Sequence, residues 1–399
     1  MGDNLKKGTI LQNCEPEKNE KGAENAVSLV DELLEKAVES GASDIHFEPT
    51  TNELIVKYRL DGLLQEVEKL PKPFCESVIA RLKVLGGLLT YRNDIPQEGR
   101  IEVDSGQNEL VIDQRLAVFP TIYGQRAVVR LFYSNKELTD LRQLGFSENI
   151  YQSLIQIAGQ SQGVLLLTGP AGSGKSTTLA AMLRYILKNH SGESIVTVED
   201  PVEIRIDGAT QTQITPHGKL TFPTALRSLL RQDPQVIMIG EIRDAETAKI
   251  AIEAGLTGHL LMSTMHSGTP AGALLRLLEM GIEPYQVTSS VSAVLNQRLV
   301  RKLCDKCKTE NNEGGLFEPV GCDDCFRTGY HGRVLIAELV QLDGRLRKAI
   351  LEKADLEQLE DIINKIGHMN MRQHGNQLIS EGITTQEEVD KVCRTVEER

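Results

Sequence analysis

Apolar positions along the chain change their spacing, and each spacing predicts a different kind of element. From Val27 the pattern is helical: Val27, Leu29, Val30, Leu33, Leu34, Ala37 and Val38 share one broad face until Ser40-Gly41 stops it. Short strand-like runs follow at 44–47, 54–58, 62–67, 100–103, 109–118 and 127–133, interrupted by a helical stretch over 73–86. Strands and helices mixed in this way predict a smaller α+β domain over 27–133. From about 146 the rhythm changes. Continuous apolar runs at 164–168, 194–198, 236–239 and 259–263 alternate with helical segments. Such runs are strands buried on both faces, so 146–300 predicts an α/β domain on a parallel sheet. The polar stretch 134–145 reads as a linker and 1–26 as a flexible polar tail. Residues 336–399, acidic and helically patterned, read as a helical C-terminal domain.

Composition narrows the function classes. A chain of 399 residues holds two or three domains by length, and 40% apolar with 25% charged residues is a globular balance. The net charge of −12 argues against a specific nucleic-acid surface, and the absence of Trp argues against aromatic stacking platforms. No apolar run approaches the roughly 20 residues of a membrane span, and the first residues lack the apolar centre of a signal peptide. A cytoplasmic protein is expected, in contact with membranes only through partners.

The strongest chemical signal is Gly169-Pro170-Ala171-Gly172-Ser173-Gly174-Lys175-Ser176-Thr177, between a predicted strand and a predicted helix. Its glycines let successive backbone N–H groups curl around phosphates at a helix N-terminus. Lys175 would reach the β- and γ-phosphates of a bound nucleotide, and the Ser176 hydroxyl would sit on Mg²⁺. Two further strands end in acids: 195–198 runs into Glu199-Asp200-Pro201, and 236–239 runs into Gly240-Glu241. Ligands of an open α/β sheet gather at the carboxyl ends of its strands, so both acids converge on the phosphate site.

Four of the seven cysteines are paired as Cys304-x2-Cys307 and Cys322-x2-Cys325. Two such turns make a closed tetrahedral thiolate site, and 301–335 reads as a metal module. Cys14, Cys75 and Cys393 stand alone.

Several motifs in order resemble the type II secretion and type IV pilus assembly ATPases (GspE/PilB-like), over about residues 27–399. Ser43-Asp-Ile-His-Phe-Glu48-Pro resembles the opening of that family's N-terminal domain. Thr197–Glu203 is similar to its acidic box, 229–244 to its Walker B segment, and Thr257–His266 to its histidine box. The resemblance implies a RecA-like P-loop domain preceded by a PAS-like α+β domain, working as an Mg²⁺-dependent ATPase in a hexameric ring. Such a ring would act on an inner-membrane platform protein to build a pseudopilus or pilus. It implies that Glu199 polarises the attacking water, that Glu241 holds Mg²⁺ through a water, and that His259 and His266 sense the γ-phosphate. Arg100, Arg115 and Arg126 resemble arginines that close over the nucleotide. The tetracysteine module resembles the zinc module of assembly members, which retraction members typically lack.

Two departures from the family pattern stand out. Gln97-Glu98-Gly99-Arg100 replaces the usual Gln-Asp-Gly-Arg. Only about 26 residues precede the first domain, implying a short form without the extra docking domain, as in competence-type or retraction-type members. Within the family a pilus-retraction or competence-pilus ATPase is the alternative, and from another class a nucleotide-gated scaffold with negligible turnover.

Overall fold

The computed structural model describes residues 17–102, 111–133, 140–215, 218, 220–311 and 316–397. The chain divides into two compact units, Met1–Asn135 and Lys136–Arg399.

The first unit begins with α1 (Glu17–Glu39), then β1 (Asp44–Pro49), β2 (Glu53–Leu60), β3 (Leu63–Pro71), α2 (Phe74–Leu85), β4 (Gln97–Ile101), β5 (Val111–Thr121) and β6 (Gly124–Tyr133). Its strands form one antiparallel sheet in the order β3-β2-β1-β6-β5-β4. Alternation decides its two faces. Ile45 and Phe47 of β1 join Val56, Leu116 and Val129 in a core closed by Val30 and Leu33 of α1 and Val78 and Leu82 of α2. Helix α1 starts ten residues before the apolar pattern does, which corrects the expected tail: Ala26 is already fully buried. Residues 1–16 of that tail lie outside the described residues.

The second unit is built on a seven-stranded sheet. Its elements are α3 (Glu148–Ala158), β7 (Gly163–Thr168), α4 (Lys175–Asn189), β8 (Ile195–Glu199), β9 (Thr210–Gln213), α5 (Phe222–Leu229), β10 (Val236–Ile239), α6 (Ala245–Leu256), β11 (Leu260–Met265), α7 (Pro270–Glu279) and α8 (Pro284–Ser290). There follow β12 (Val291–Leu303), β13 (Thr309–Glu310), β14 (Phe317–Glu318), β15 (Tyr330–Gln341), α9 (Gly344–Leu351), α10 (Leu356–Lys365), α11 (Met371–Ser380) and α12 (Gln386–Glu397). The sheet runs β15-β12-β7-β11-β10-β8-β9. Every residue of β7 is buried: Leu165 and Leu167 face α3 and α4, while Val164 and Leu166 face α6 and α8.

Two boundaries differ from the sequence reading. Strand β12 continues the sheet three residues beyond 300, and β15 begins within the predicted metal module and pairs antiparallel with β12. The two strands bury Val294, Leu295, Ile336 and Ala337 in the cores of this unit, so 336–399 opens on a sheet strand and not on a helix. Of the expected linker, 134–139 lie outside the described residues. Leu141 is buried against α4-side residues of the second unit, in a 3-10 turn capped by Asp140.

Candidate nucleotide site and metal centre

The phosphate loop leaves the carboxyl end of β7, a strand flanked on both sides by β11 and β12. Two glycines are demanded by contact as well as by conformation. A Cβ at Gly169 would stand 2.5 Å from the Gln297 carbonyl oxygen, and at Gly174 it would crowd the Gln297 amide nitrogen at 3.2 Å. Both have positive φ, 144° and 89°. Gly174 is the N-cap of α4, so Lys175, Ser176 and Thr177 fall in its first turn, where free N–H groups and the helix dipole favour an anion. The Lys175 ammonium donates to the carbonyls of Gly169 and Pro170, both at 2.8 Å. Burial, with the Arg298 guanidinium nearby, pushes its pKa down. The buried hydroxyls of Thr168 and Ser173 have no hydrogen-bond partner. Unspent donors at such a loop fit a phosphate ligand.

The two acids stand on the same edge of the sheet. Ile239 pairs with Val198, so Glu199 ends β8 beside Gly240, and Glu241 comes one residue later. Glu199 is 8% exposed and accepts from the Thr197 hydroxyl at 2.6 Å and from the Gln211 amide at 3.1 Å. Burial nevertheless dominates and raises its pKa above the ordinary carboxylate value. Glu241 is paired with Arg243, and its other oxygen faces His266 Nε2 at 3.5 Å. Asp244, the last acid of that segment, caps α6 through the Thr247 N–H at 2.8 Å.

The two histidines part company. His266 directly follows β11, whose Met265 pairs with Thr168, so it sits beside the phosphate loop. It also lines a cavity of about 790 Å³ with Gly169, Pro170, Arg298 and Glu338. His259 precedes β11 at the opposite edge of the sheet. Its carbonyl accepts from the Gly163 N–H at 3.1 Å, and its ring bonds the Ala254 carbonyl at 3.1 Å. Six strand residues separate that edge from the loop, about 20 Å. The structure does not bring His259, expected to sense the γ-phosphate, to the loop of this chain; its ring ties α6 to the start of β11.

Arg100, Arg115 and Arg126 belong to the first unit. Arg100 and Arg115 face each other across β4 and β5 and share Asp113, at 2.6 and 3.3 Å. Arg126 donates to Glu48 and meets His46 Nδ1, both at 2.9 Å. The Ser43–Pro49 motif thus supplies counter-charges: Asp44 binds Arg59 and Arg130, and Glu48 binds Lys57 and Arg126.

Strand β12 carries site residues that the sequence reading did not single out. Asn296, Gln297 and Arg298 are buried in an otherwise apolar run. Asn296 donates to Gly268 and Glu338. Arg298 donates to the Asn296 side chain, the Gln297 carbonyl and the Gly268 carbonyl. Three successive polar residues set between Val294-Leu295 and Leu299-Val300 were the available signal.

Cys304, Cys307, Cys322 and Cys325 bring four sulfurs within 4.8 Å of one another. Cys304 to Cys322, Cys307 to Cys325 and Cys322 to Cys325 are 3.9, 3.8 and 3.7 Å apart. A tetrahedral zinc with sulfurs at 2.3 Å requires them about 3.8 Å apart. The residues therefore fit zinc. Burial of Cys325 opposes thiolate formation, but N–H groups of Cys322 and Gly329 at 3.2 Å outweigh it and hold the thiol pKa down. The module is anchored to the C-terminal helices: Lys308 reaches the Gly382 carbonyl, and the Leu303 N–H reaches Ile383.

Comparison with known proteins completes these observations. Residues 19–391 match the family described as Type II/IV secretion system protein. The chain is 39% identical over 389 residues to the type IV pilus assembly ATPase PilB of Thermus thermophilus, an alignment that takes in 93% of this chain and 43% of that protein. It thus spans less than half the length of that relative. It is 40% identical over 383 residues to the type II secretion system ATPase E of Vibrio cholerae, covering 92% and 75%. Among solved structures, the pilus retraction motor PilT with bound ADP aligns with a TM-score of 0.59 and 25% identity, over 90% of this chain and 96% of that one.

Proposed function

Because the chain belongs to the type II/IV secretion system protein family, we propose that it is an ATP-hydrolysing motor that powers assembly of a secretion pseudopilus or a type IV pilus. One observation carries the reading: Glu199 and Glu241 stand on the sheet edge from which the phosphate loop springs. Ser176 and Glu241 would hold Mg²⁺, which neutralises charge on the terminal phosphates when bound. Glu199 would orient the attacking water and take its proton as the new P–O bond forms. Lys175 would exchange the Gly169 and Pro170 carbonyls for phosphate oxygens, and with the loop N–H groups bear the charge left on the departing diphosphate.

Arg100, Arg115 and Arg126 would close over the nucleotide, their guanidinium forks exchanging carboxylates for phosphate oxygens. The antiparallel sheet backed by two helices supports a PAS-like reading of the first unit. The sulfur spacing supports one structural zinc per chain, and the presence of that module favours assembly over retraction. By family implication the motor is a homohexameric ring, a head-to-tail interface that closes, acting on an inner-membrane platform protein. It would lie at the cytoplasmic face of that membrane through this partner. No helix among the described residues is long and apolar enough to cross a membrane.

The test is specific ATPase activity against protein concentration, with and without Mg²⁺. Activity per subunit that rises with concentration and vanishes on chelating Mg²⁺ supports the reading. Activity near zero at every concentration, also with a platform-protein cytoplasmic domain added, rejects it in favour of a nucleotide-gated scaffold.

A further inference from the structure

We propose that Gln297 is a positioning residue of the phosphate loop: its side-chain amide fixes the Ser173–Gly174 peptide so that the Gly174 N–H faces the nucleotide phosphates. The proposal rests on the nucleotide reading given above. Gln297 is fully buried in β12, and its Nε2 donates to the Ser173 carbonyl at 2.8 Å. A carbonyl can only accept, so chemistry alone orients this amide with its nitrogen toward Ser173. In a trans peptide the C=O and the following N–H point in opposite directions. Drawing the Ser173 oxygen back against β12 therefore turns the Gly174 N–H out of the wall and into the cradle.

The support behind the amide is built in depth. The Gln297 carbonyl accepts from Arg298 Nη1 at 3.0 Å, and Arg298 Nη2 holds the Gly268 carbonyl at 2.9 Å. Gly268 lies two residues beyond His266. The same guanidinium thus braces the loop's back wall and the segment that carries His266. Because a Cβ at Gly169 or Gly174 would strike Gln297, the loop lies directly on this residue with no side chain between. An amide in such a place costs desolvation unless bonded; the bond to the loop satisfies Nε2, while Oε1 has no partner among the described residues.

Gln297→Met keeps the length and volume and removes the donor. The measurement is the Kd for ADP by calorimetry, together with the Tm of the nucleotide-free protein and the Tm shift produced by saturating pyrophosphate, which touches only the cradle. The expected result is a Kd raised about tenfold, a smaller pyrophosphate shift, and a nucleotide-free Tm within a few degrees of wild type. Gln297→Glu, which sets an acceptor against the Ser173 carbonyl, is expected to bind more weakly still. Wild-type affinity in both variants overturns the proposal, and so does loss of the folded state in both, which would make Gln297 a core residue first. Failure of the wild-type protein to bind ADP would instead remove the nucleotide reading itself.

Discussion

His259 and His266 stand at opposite ends of one strand, the first beside Gly163 and the second beside Thr168. Their substitution should therefore separate two effects. His266→Ala is expected to slow turnover at unchanged stability, since its ring faces Glu241. His259→Ala is expected to leave the Kd for ADP unchanged and to lower Tm by a few degrees through loss of the Ala254 contact. Calorimetry and thermal unfolding on both variants check this; weakened ADP binding in His259→Ala alone would contradict the geometry.

Lys175→Ala should abolish turnover, a loss of at least about a hundredfold, because the cation that faces the departing diphosphate is gone. Glu241→Gln should bind nucleotide nearly as wild type yet lose comparable activity. Steady-state rates beside equilibrium binding separate the two. Normal ATPase activity in Lys175→Ala would sink the site assignment.

Glu199 must be ionised to take a proton, and burial raises its pKa. Turnover is thus expected to fall as pH drops through a value above that of an ordinary glutamate. The Thr197 hydroxyl counteracts the rise, so Thr197→Val should move this acid limb to higher pH, read from kcat against pH. For stability the sign is opposite to that of a salt-bridged acid. The folded state holds the proton more tightly, so this group's contribution falls as pH rises through the folded pKa.

Elemental analysis should find about one zinc per chain, and Cys304→Ser should lose it and lower Tm, because structural zinc binding is coupled to folding. A folded, zinc-free wild-type protein would reject the assignment.

How much of this was legible in the sequence follows from how local each signal is. The phosphate loop, the strand-end acids and the paired cysteines are short motifs whose geometry depends on neighbours within a few residues. Glu199 and Glu241 added only the rule that strands of a parallel sheet end together. Gln297 is different, because its meaning lies in a bond to Ser173, more than a hundred residues earlier in the chain. Strands β12 and β15 went unread for a related reason. In β12 the apolar content was visible, but polar Asn296, Gln297 and Arg298 broke the run, and only their bonds to Ser173, Gly268 and Glu338 show why they are tolerated there. The different positions of His259 and His266 were not legible, because a shared motif name says nothing about which end of a strand a residue occupies. The early start of α1 was hidden by a polar sequence, although Ala26 already packs into the core.

The placing of β7 also sets an order of events on the ribosome. Gly163 pairs with Leu260, and Val164 pairs with Val291, so both neighbours are synthesised about a hundred residues later. At about 5–20 residues per second, the nascent chain carries this strand, apolar from Val164 to Leu167, unpartnered for several seconds. Nucleotide can do nothing to shelter it in that interval, since the wall that shapes the cradle belongs to β12. Until that strand has emerged, the segment from Val164 to Leu167 has at most one of its two sheet neighbours to cover it.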